Sequence, residues 1–252
     1  MKVLILAAGY GTRLYPLTKD KPKPLLPIEE KKPLINYLVE RVKGAKGLNE
    51  IYVITNDKFA HQFQQWAREC KDVSVPITVI NDGTTSPEDR LGSIGDIDFT
   101  IKAHRVDEDI LVIGGDNLFD FKTDPFFDFA IAQKDKVTMG LYNIKDIHMA
   151  KNFGVAAMDA NRTVTLFEEK PQNPKSSLIA MCFYYMPKNT LPLIKRYIEE
   201  GGKVDLAGDY IKWLCGQKQL CGFQFQGSWY DIGSLEAYHE AQADFKKHPS
   251  TT

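Results

Sequence analysis

The residues best suited to chemistry lie near the start of the chain, in Leu6-Ala7-Ala8-Gly9-Tyr10-Gly11-Thr12-Arg13 and, ten residues beyond Arg13, in Pro22-Lys23-Pro24. Glycines let a backbone approach a ligand closely and aim consecutive N–H groups at one anion. Thr12 adds a hydroxyl, and Arg13 a planar fork of donors that matches phosphate. The prolines on either side of Lys23 restrict its backbone. A stiffened lysine beside a glycine-rich anion cradle is what a triphosphate site needs. Alone, a Gly-x-Gly after a strand is also common punctuation. No Gly-Lys-Ser/Thr follows, so it is not a Walker loop. Leu14 stands where the dinucleotide fingerprint needs its third glycine. Glu29 and Glu30 sit near the place of a ribose-binding acid, but the stretch before them is broken by prolines.

These residues need elements to hold them. Val3–Ala8 is a continuous apolar run, as expected of a strand buried on both faces in a parallel sheet, and Gly9–Pro27 reads as a loop. A helix is expected over Leu34–Val42, with Pro33 at its first turn. Strands are expected over Ile51–Thr55, Ile77–Ile80 and Ile110–Ile113. Phe59, Phe63, Trp66, Ala67 and Cys70 share one helical face. A helix over Pro125–Lys134 and a strand over Val137–Tyr142 follow. Strands alternating with helices give a mostly parallel sheet with helices on both faces. In such folds ligands gather at the carboxyl ends of strands, where the Gly9 turn and Gly114-Gly115-Asp116-Asn117 both fall.

The second half reads differently. Val155–Met158, Val164–Phe167 and Leu178–Met186 suggest strands of antiparallel character. Helices over Leu191–Ile198 and Tyr210–Leu214, a strand over Cys221–Phe225 and a closing helix over Leu235–Phe245 complete the pattern. The expectation is an α/β chain with a Rossmann-like, mostly parallel mixed sheet and a small covering sheet inserted in the second half. It forms one domain over 1–245, with parts at about 1–135 and 136–245, and a tail over 246–252.

Lys and Arg total 32 against 33 Asp and Glu, a balance that argues against a nucleic-acid or membrane-surface binder. No apolar run reaches membrane-spanning length. The run at Met1–Ala8 is too short for a signal peptide and leads into a glycine turn rather than a cleavage site. Cys70, Cys182, Cys215 and Cys221 form no CxxC pair and have no histidine at zinc-ligand spacing, so buried free thiols are expected. A cytoplasmic protein is the default that follows.

Leu6-Ala7-Ala8-Gly9-Tyr10-Gly11-Thr12-Arg13-Leu14-Tyr15-Pro16-Leu17-Thr18, then Pro22-Lys23-Pro24-Leu25-Leu26-Pro27-Ile28, resembles the opening of the sugar nucleotidyltransferase family. The glucose-1-phosphate thymidylyl- and uridylyltransferases are the nearest in pattern. Later segments match in the family's order, so the resemblance covers roughly residues 1 to 240. It implies that the sheet inserted in the second half binds the sugar. It also implies that Arg13 grips the triphosphate and that Lys23 contacts the reacting phosphates, with Arg13, Lys23 and Asp116 as catalytic residues. Leu6, Ala8, Gly9, Gly11, Thr12, Arg13, Gly92 and Asp116 would bind the nucleotide. Gly92 lies in Leu91-Gly92-Ser93-Ile94-Gly95, which is similar to the family's Leu-Gly-Thr-Ala-Gly, although Ile94 replaces a small residue. Asn81-Asp82-Gly83 would line the base pocket or simply form a turn.

Asp116 and Asp231, the latter in Trp229-Tyr230-Asp231-Ile232-Gly233, resemble the family's magnesium-binding pair. Magnesium favours hard oxygens and takes one or two carboxylates alongside phosphates and water. Alone, Asp116 could belong to a turn and Asp231 could cap the helix beginning near Ser234. Phe153-Gly154-Val155 and Glu168-Glu169-Lys170-Pro171 resemble the sugar-site motifs. Glu169 would accept from sugar hydroxyls and Lys170 would neutralise the sugar's phosphate, with Asn117, Gly154 and Ile179 completing that site. Without the family, Glu-Lys-Pro is an exposed strand end. Phe153 stands where many relatives have Tyr. In Ile179-Ala180-Met181-Cys182, Met181 stands where relatives carry Gly.

The activity implied is condensation of a nucleoside triphosphate, dTTP or UTP, with a sugar 1-phosphate such as glucose 1-phosphate, releasing pyrophosphate with Mg2+ as cofactor. A homodimer fits the same analogy; neither nucleic acid nor membrane is an expected partner. The alternatives are a cytidylyltransferase acting on another phosphorylated acceptor, and a non-catalytic nucleotide-sugar binding module.

Overall fold

In the computed structural model, which describes residues 1–29 and 32–247, the continuous apolar runs are strands buried on both faces. Val3–Ile5 in Lys2–Leu6, Ile51–Ile54 in Glu50–Thr55 and Ile110–Ile113 in Ile110–Gly114 are all buried. Glu30 and residues 248–252 of the expected tail lie outside the described residues.

The chain forms two compact units that interleave along the sequence. The first holds Lys2–Arg90, Ile113–Thr123 and the segment from Gly227 onward; the second holds Leu91–Val112 and Asp124–Gln226, with Met1. The division is therefore not a single cut near residue 135. Two local interactions explain this. In the first unit Trp229–Asp231 pairs with Asn117–Phe119. In the second, the N–H groups of Ser93 and Ile94 donate to Asp205 O and Val204 O at 3.0 and 2.9 Å.

In the first unit Lys2–Leu6 pairs with Glu50–Thr55, and that strand with Ile77–Asn81, both in parallel. Parallel neighbours need crossover connections, and the helices Leu34–Val42 and Asp57–Glu69 lie in those crossovers. Two short antiparallel ribbons accompany them: Pro27–Glu29 with Lys32–Pro33, and Asn117–Phe119 with Trp229–Asp231. One buried cluster joins Leu14, Leu26 and Ile28 from the proline-rich segment to Leu118, Ile232, Tyr238 and Ala241. Burying a leucine such as Leu14 contributes roughly 2 kcal/mol, so the loop carrying Arg13 and Lys23 is anchored at several points.

In the second unit Val164–Glu169, Gly154–Met158 and Leu178–Met186 are neighbours in that order, and Ile110–Val112 belongs to the strand beside Leu178–Met186. Val137–Asn143 pairs antiparallel with Leu178–Met186 and parallel with Leu220–Gln224. The strands expected as a small sheet inserted in the second half thus pair with one another, in a sheet of mixed direction. The α/β class is as expected.

Two local features differ from the sequence reading. Gly92–His104 is a helix where none was expected. Its buried positions include the polar Asp96 and Thr100 beside Ile94 and Ile97, so no clean apolar stripe marks it. In Leu178–Met186 the pairing register shifts between Ala180 and Tyr184. The residue in the left-handed region there is Cys182, with φ 52°, whereas Met181 is buried with 1% exposure. The position that calls for glycine is therefore Cys182, not Met181. A side chain held there costs on the order of 1 kcal/mol. Cys182→Gly should raise the melting temperature by about 2–4 °C in a thermal melt; no change or a fall would contradict the strain.

Candidate active site

The glycine turn is held from behind. After the first strand, Ala7 N donates to Ile54 O at 2.9 Å. Thr55 Oγ1 then donates to Ala7 O at 3.2 Å and Asn56 Nδ2 to Ala8 O at 2.8 Å. Thr55 and Asn56 are fully buried. Asn56 Oδ1 also accepts from Phe59 N at 3.2 Å, so one side chain both caps the helix Asp57–Glu69 and fixes the turn. Sequence reasoning missed both residues, and only their place at the carboxyl end of a strand could have flagged them.

With its carbonyls fixed, the turn keeps its donors. Among the described residues, no backbone N–H from Ala8 to Arg13 donates to a protein acceptor. Such a run of unpaired donors is the electrostatic requirement for holding an anion. Gly11 adopts φ 64°, and a Cβ there would stand 3.1 Å from Thr18 Cβ; Thr18 Oγ1 donates to Gly11 O at 2.6 Å and closes the loop. A Cβ at Gly9 would meet nothing within 4 Å, so Gly9 borders open space.

Leu6, Gly9, Gly11, Lys23 and Asp116 line one cleft, with Ala7, Pro24 and Gly115. Gly115 makes it narrow: a Cβ there would stand 2.7 Å from Leu6 O and 2.9 Å from Pro24 Cγ. Lys23 Nζ lies 3.0 Å from Asp116 Oδ2, with side-chain exposures of 17% and 36%. A partly exposed pair of this kind contributes at most about 1 kcal/mol to stability, so stability alone is a weak reason for it. The Lys23 segment is held by the closing helix, where Tyr238 OH and Gln242 Nε2 donate to Pro27 O at 2.6 and 3.0 Å. Ala8 is buried, whereas Thr12 and Arg13 are exposed. Arg13 is not among the residues lining the cleft.

Asp231 stands on the strand beside Asp116. It faces Asn117 in the antiparallel register, and Ile232 N donates to Asp116 O at 3.1 Å. Ser234 Oγ accepts from Ala237 N at 3.2 Å, so the cap of the closing helix is Ser234 and not Asp231. Asp116 sits in the turn just before one strand of this ribbon and Asp231 on the other strand, and carboxylates are hard oxygen donors of the kind magnesium takes when phosphates supply the rest. Among the described residues no group of three or more acidic, His or Cys side chains forms a metal cluster, so an all-protein cage is not the alternative. Asn117, expected at the sugar phosphate, is 2% exposed. Its amide donates to Gly114 O at 3.0 Å and accepts from Trp229 Nε1 at 2.7 Å, so its side chain is engaged inside the ribbon.

The remaining expected residues belong to the second unit. Gly154 and Glu169 face each other across an antiparallel pair. Lys170 sits in the left-handed region at φ 46°, its N–H donating to Phe153 O at 3.0 Å, and its Nζ lies 3.9 Å from Glu169 Oε1. Strain at a charged residue of this kind is typical of functional positions. Burial pushes the Glu169 carboxyl up from its ordinary range; Lys170 opposes the rise and Asp209 adds to it. The carboxylate rests against two glycines: a Cβ at Gly208 would stand 2.0 Å from Glu169 Oε2, and one at Gly154 3.0 Å from it. Gly208 was not anticipated from sequence.

Three further expected positions have a structural account. Ile179 is fully buried and pairs with Tyr142 and Val155, so its side chain is core. Gly92, at φ 79°, is explained by packing, since a Cβ would stand 2.4 Å from Asp205 Cα and 2.6 Å from Val204 O. Asn81-Asp82-Gly83 forms a turn: Gly83 N donates to Asn81 Oδ1 at 2.9 Å, and Thr84 N donates to Asp82 Oδ1 at 2.7 Å.

A Rossmann-like sheet with a donor-rich glycine turn, an adjacent lysine and two neighbouring aspartates defines the class, and residues 2–248 match the family model described as nucleotidyl transferase. The chain belongs to that family. It is 31% identical over 234 residues to the bifunctional protein GlmU of Methanocaldococcus jannaschii, covering 92% of this chain and 51% of that protein. It is 26% identical over 258 residues to the glucose-1-phosphate adenylyltransferase of Fusobacterium nucleatum, covering 96% of this chain and 65% of the relative. The chain thus spans about half to two thirds of the length of these curated relatives. A crystal structure from Bacillus anthracis, assigned as a glucose-1-phosphate thymidylyltransferase in complex with sucrose, shares 26% identity and a TM-score of 0.77, covering 96% of this chain and 94% of that one. A UDP-glucose pyrophosphorylase complexed with UDP-glucose has the same fold, with a TM-score of 0.81 at 22% identity and 98% coverage of both chains.

Proposed function

We propose that this chain is a sugar-1-phosphate nucleotidyltransferase, an NDP-sugar pyrophosphorylase of the cytoplasm. It joins a nucleoside triphosphate to a sugar 1-phosphate, with dTTP or UTP as the favoured nucleotides and glucose 1-phosphate as the favoured sugar. The observation that carries this reading is the run of unpaired N–H groups from Ala8 to Arg13 on a turn lining the same cleft as Lys23 and Asp116. Glucose 1-phosphate appears in the names of two of the relatives, which supports it as the first sugar to test. A homodimer is the assembly this reading favours.

In the proposed reaction a phosphate oxygen of the sugar 1-phosphate attacks the α-phosphorus in line. The bond from that phosphorus to the bridging oxygen breaks, and pyrophosphate leaves. A phosphate monoester is largely dianionic above about pH 6, so the nucleophile needs no general base, and none is assigned. The difficulty is to hold two anions together. The glycine-turn N–H groups and Arg13 would hold the triphosphate. Lys23 would shift its donors from Asp116 to the reacting phosphates. Glu169 would accept from sugar hydroxyls, and Lys170 would offset the charge of the sugar's phosphate. Asp116 and Asp231 would hold magnesium, which supplies charge neutralisation for the triphosphate. Positioning and preorganised charge would then provide most of the acceleration.

Gly208→Ala should push the Glu169 carboxylate off its seat. The loss of a charged hydrogen bond predicts a KM for the sugar phosphate raised about tenfold or more, with the nucleotide KM unchanged; equal changes in both would contradict the assignment of Glu169. The function itself is tested by mixing each nucleoside triphosphate with each of a set of sugar 1-phosphates and magnesium, and measuring pyrophosphate. Release is expected only when both substrates are present.

A further inference from the structure

Asn117 follows Asp116 in the chain and faces Asp231 across the antiparallel ribbon. It is almost fully buried, yet both ends of its amide are paired, to Gly114 O at 3.0 Å and to the Trp229 indole N–H at 2.7 Å. Trp229 lies two residues before Asp231 on the same strand, so the alternation of a strand puts their side chains on one side of the ribbon. The bond from Trp229 to Asn117 is then a diagonal cross-strand contact beside the Asp231 position. Of the aromatic side chains that could fill this place, phenylalanine has no donor and tyrosine carries its hydroxyl at the ring's far tip, whereas the indole N–H meets an acceptor that burial would otherwise leave unpaired.

We infer that Asn117 and Trp229 are positioning residues for a divalent cation, the indole–amide bond tying the strand that carries Asp231 to the residue that follows Asp116. The inference rests on the reading of these two aspartates as metal ligands. Groups that orient metal ligands typically change metal affinity by 10–100-fold when removed.

The test uses manganese alone, titrated onto the full chain, with free Mn2+ read by electron paramagnetic resonance and folding checked by thermal melt. Trp229→Phe should weaken Mn2+ binding by about tenfold, and Asp116→Asn should abolish it. Trp229→His, whose smaller ring keeps an N–H, is the second variant and should fall between the parent and the phenylalanine variant, which keeps the test usable if Trp229→Phe fails to melt cooperatively. Parental affinity in both Trp229 variants, with binding lost in Asp116→Asn, would overturn the positioning role and leave the ligand assignment standing. Parental affinity in Asp116→Asn, or no saturable binding by the parent protein either alone or with inorganic pyrophosphate added to supply phosphate ligands, beyond a protein-free pyrophosphate blank, would overturn the ligand assignment itself.

Discussion

Lys23→Ala should lower turnover at least a hundredfold while the protein melts within a few degrees of its parent. The two halves of this expectation have different physical origins. Removing one preorganised charged donor from a transition state costs about 3 kcal/mol, and each 1.36 kcal/mol is a factor of ten in rate. The ion pair lost with it, Lys23 to Asp116 at 3.0 Å, is partly exposed on both sides. Such pairs contribute at most about 1 kcal/mol, which moves a chain of this size by about 2–4 °C. Asp116 would keep contact with water rather than being left as a buried, unpaired charge. Initial rates of pyrophosphate release and a thermal melt on the same preparation separate the two effects. Near-normal turnover would remove Lys23 from the mechanism, and a collapsed melt would show that its role is structural.

Asp116→Asn should have an effect of similar size by a different route. The substitution preserves shape and leaves the backbone bond from Ile232 N to Asp116 O, at 3.1 Å, in place. It removes one formal charge from the proposed two-carboxylate donor set. Turnover should again fall at least a hundredfold, and the magnesium concentration giving half-maximal rate should rise, as it should not for Lys23→Ala. An Asp116→Asn protein with the parent's magnesium curve would contradict the assignment, whatever its residual rate.

Much of this site was legible in the residues because its chemistry is local. The glycine turn, the proline-flanked Lys23 and the apolar run that sets up the first strand are contiguous features, and Gly9, Gly11, Lys23, Leu6 and Ala7 from them line a single cleft. What stayed hidden depends on partners far apart in sequence. The amide of Asn56 fixes a carbonyl 48 residues away, and the indole of Trp229 meets an amide 112 residues away; no spacing rule reports such pairs. Gly92 resembled a base-contact glycine, yet its missing side chain makes room for the backbone at Val204 and Asp205. Asp231 was a plausible cap for the closing helix, and only the bond from Ala237 N to Ser234 Oγ gives that place to Ser234 instead. The shift from Met181 to Cys182 is a matter of a single φ angle. The helix Gly92–His104 escaped because it buries polar and apolar residues together.

In the proposed reaction the sugar's phosphate displaces pyrophosphate directly at the α-phosphorus. It is tested by incubating the protein with magnesium, a sugar 1-phosphate and a nucleoside triphosphate labelled at the α-phosphorus. The label should pass wholly into the nucleoside diphosphate sugar, with one unlabelled pyrophosphate per product and no label on the denatured protein. Label bound covalently to the chain, or label released in the pyrophosphate fraction, would contradict it.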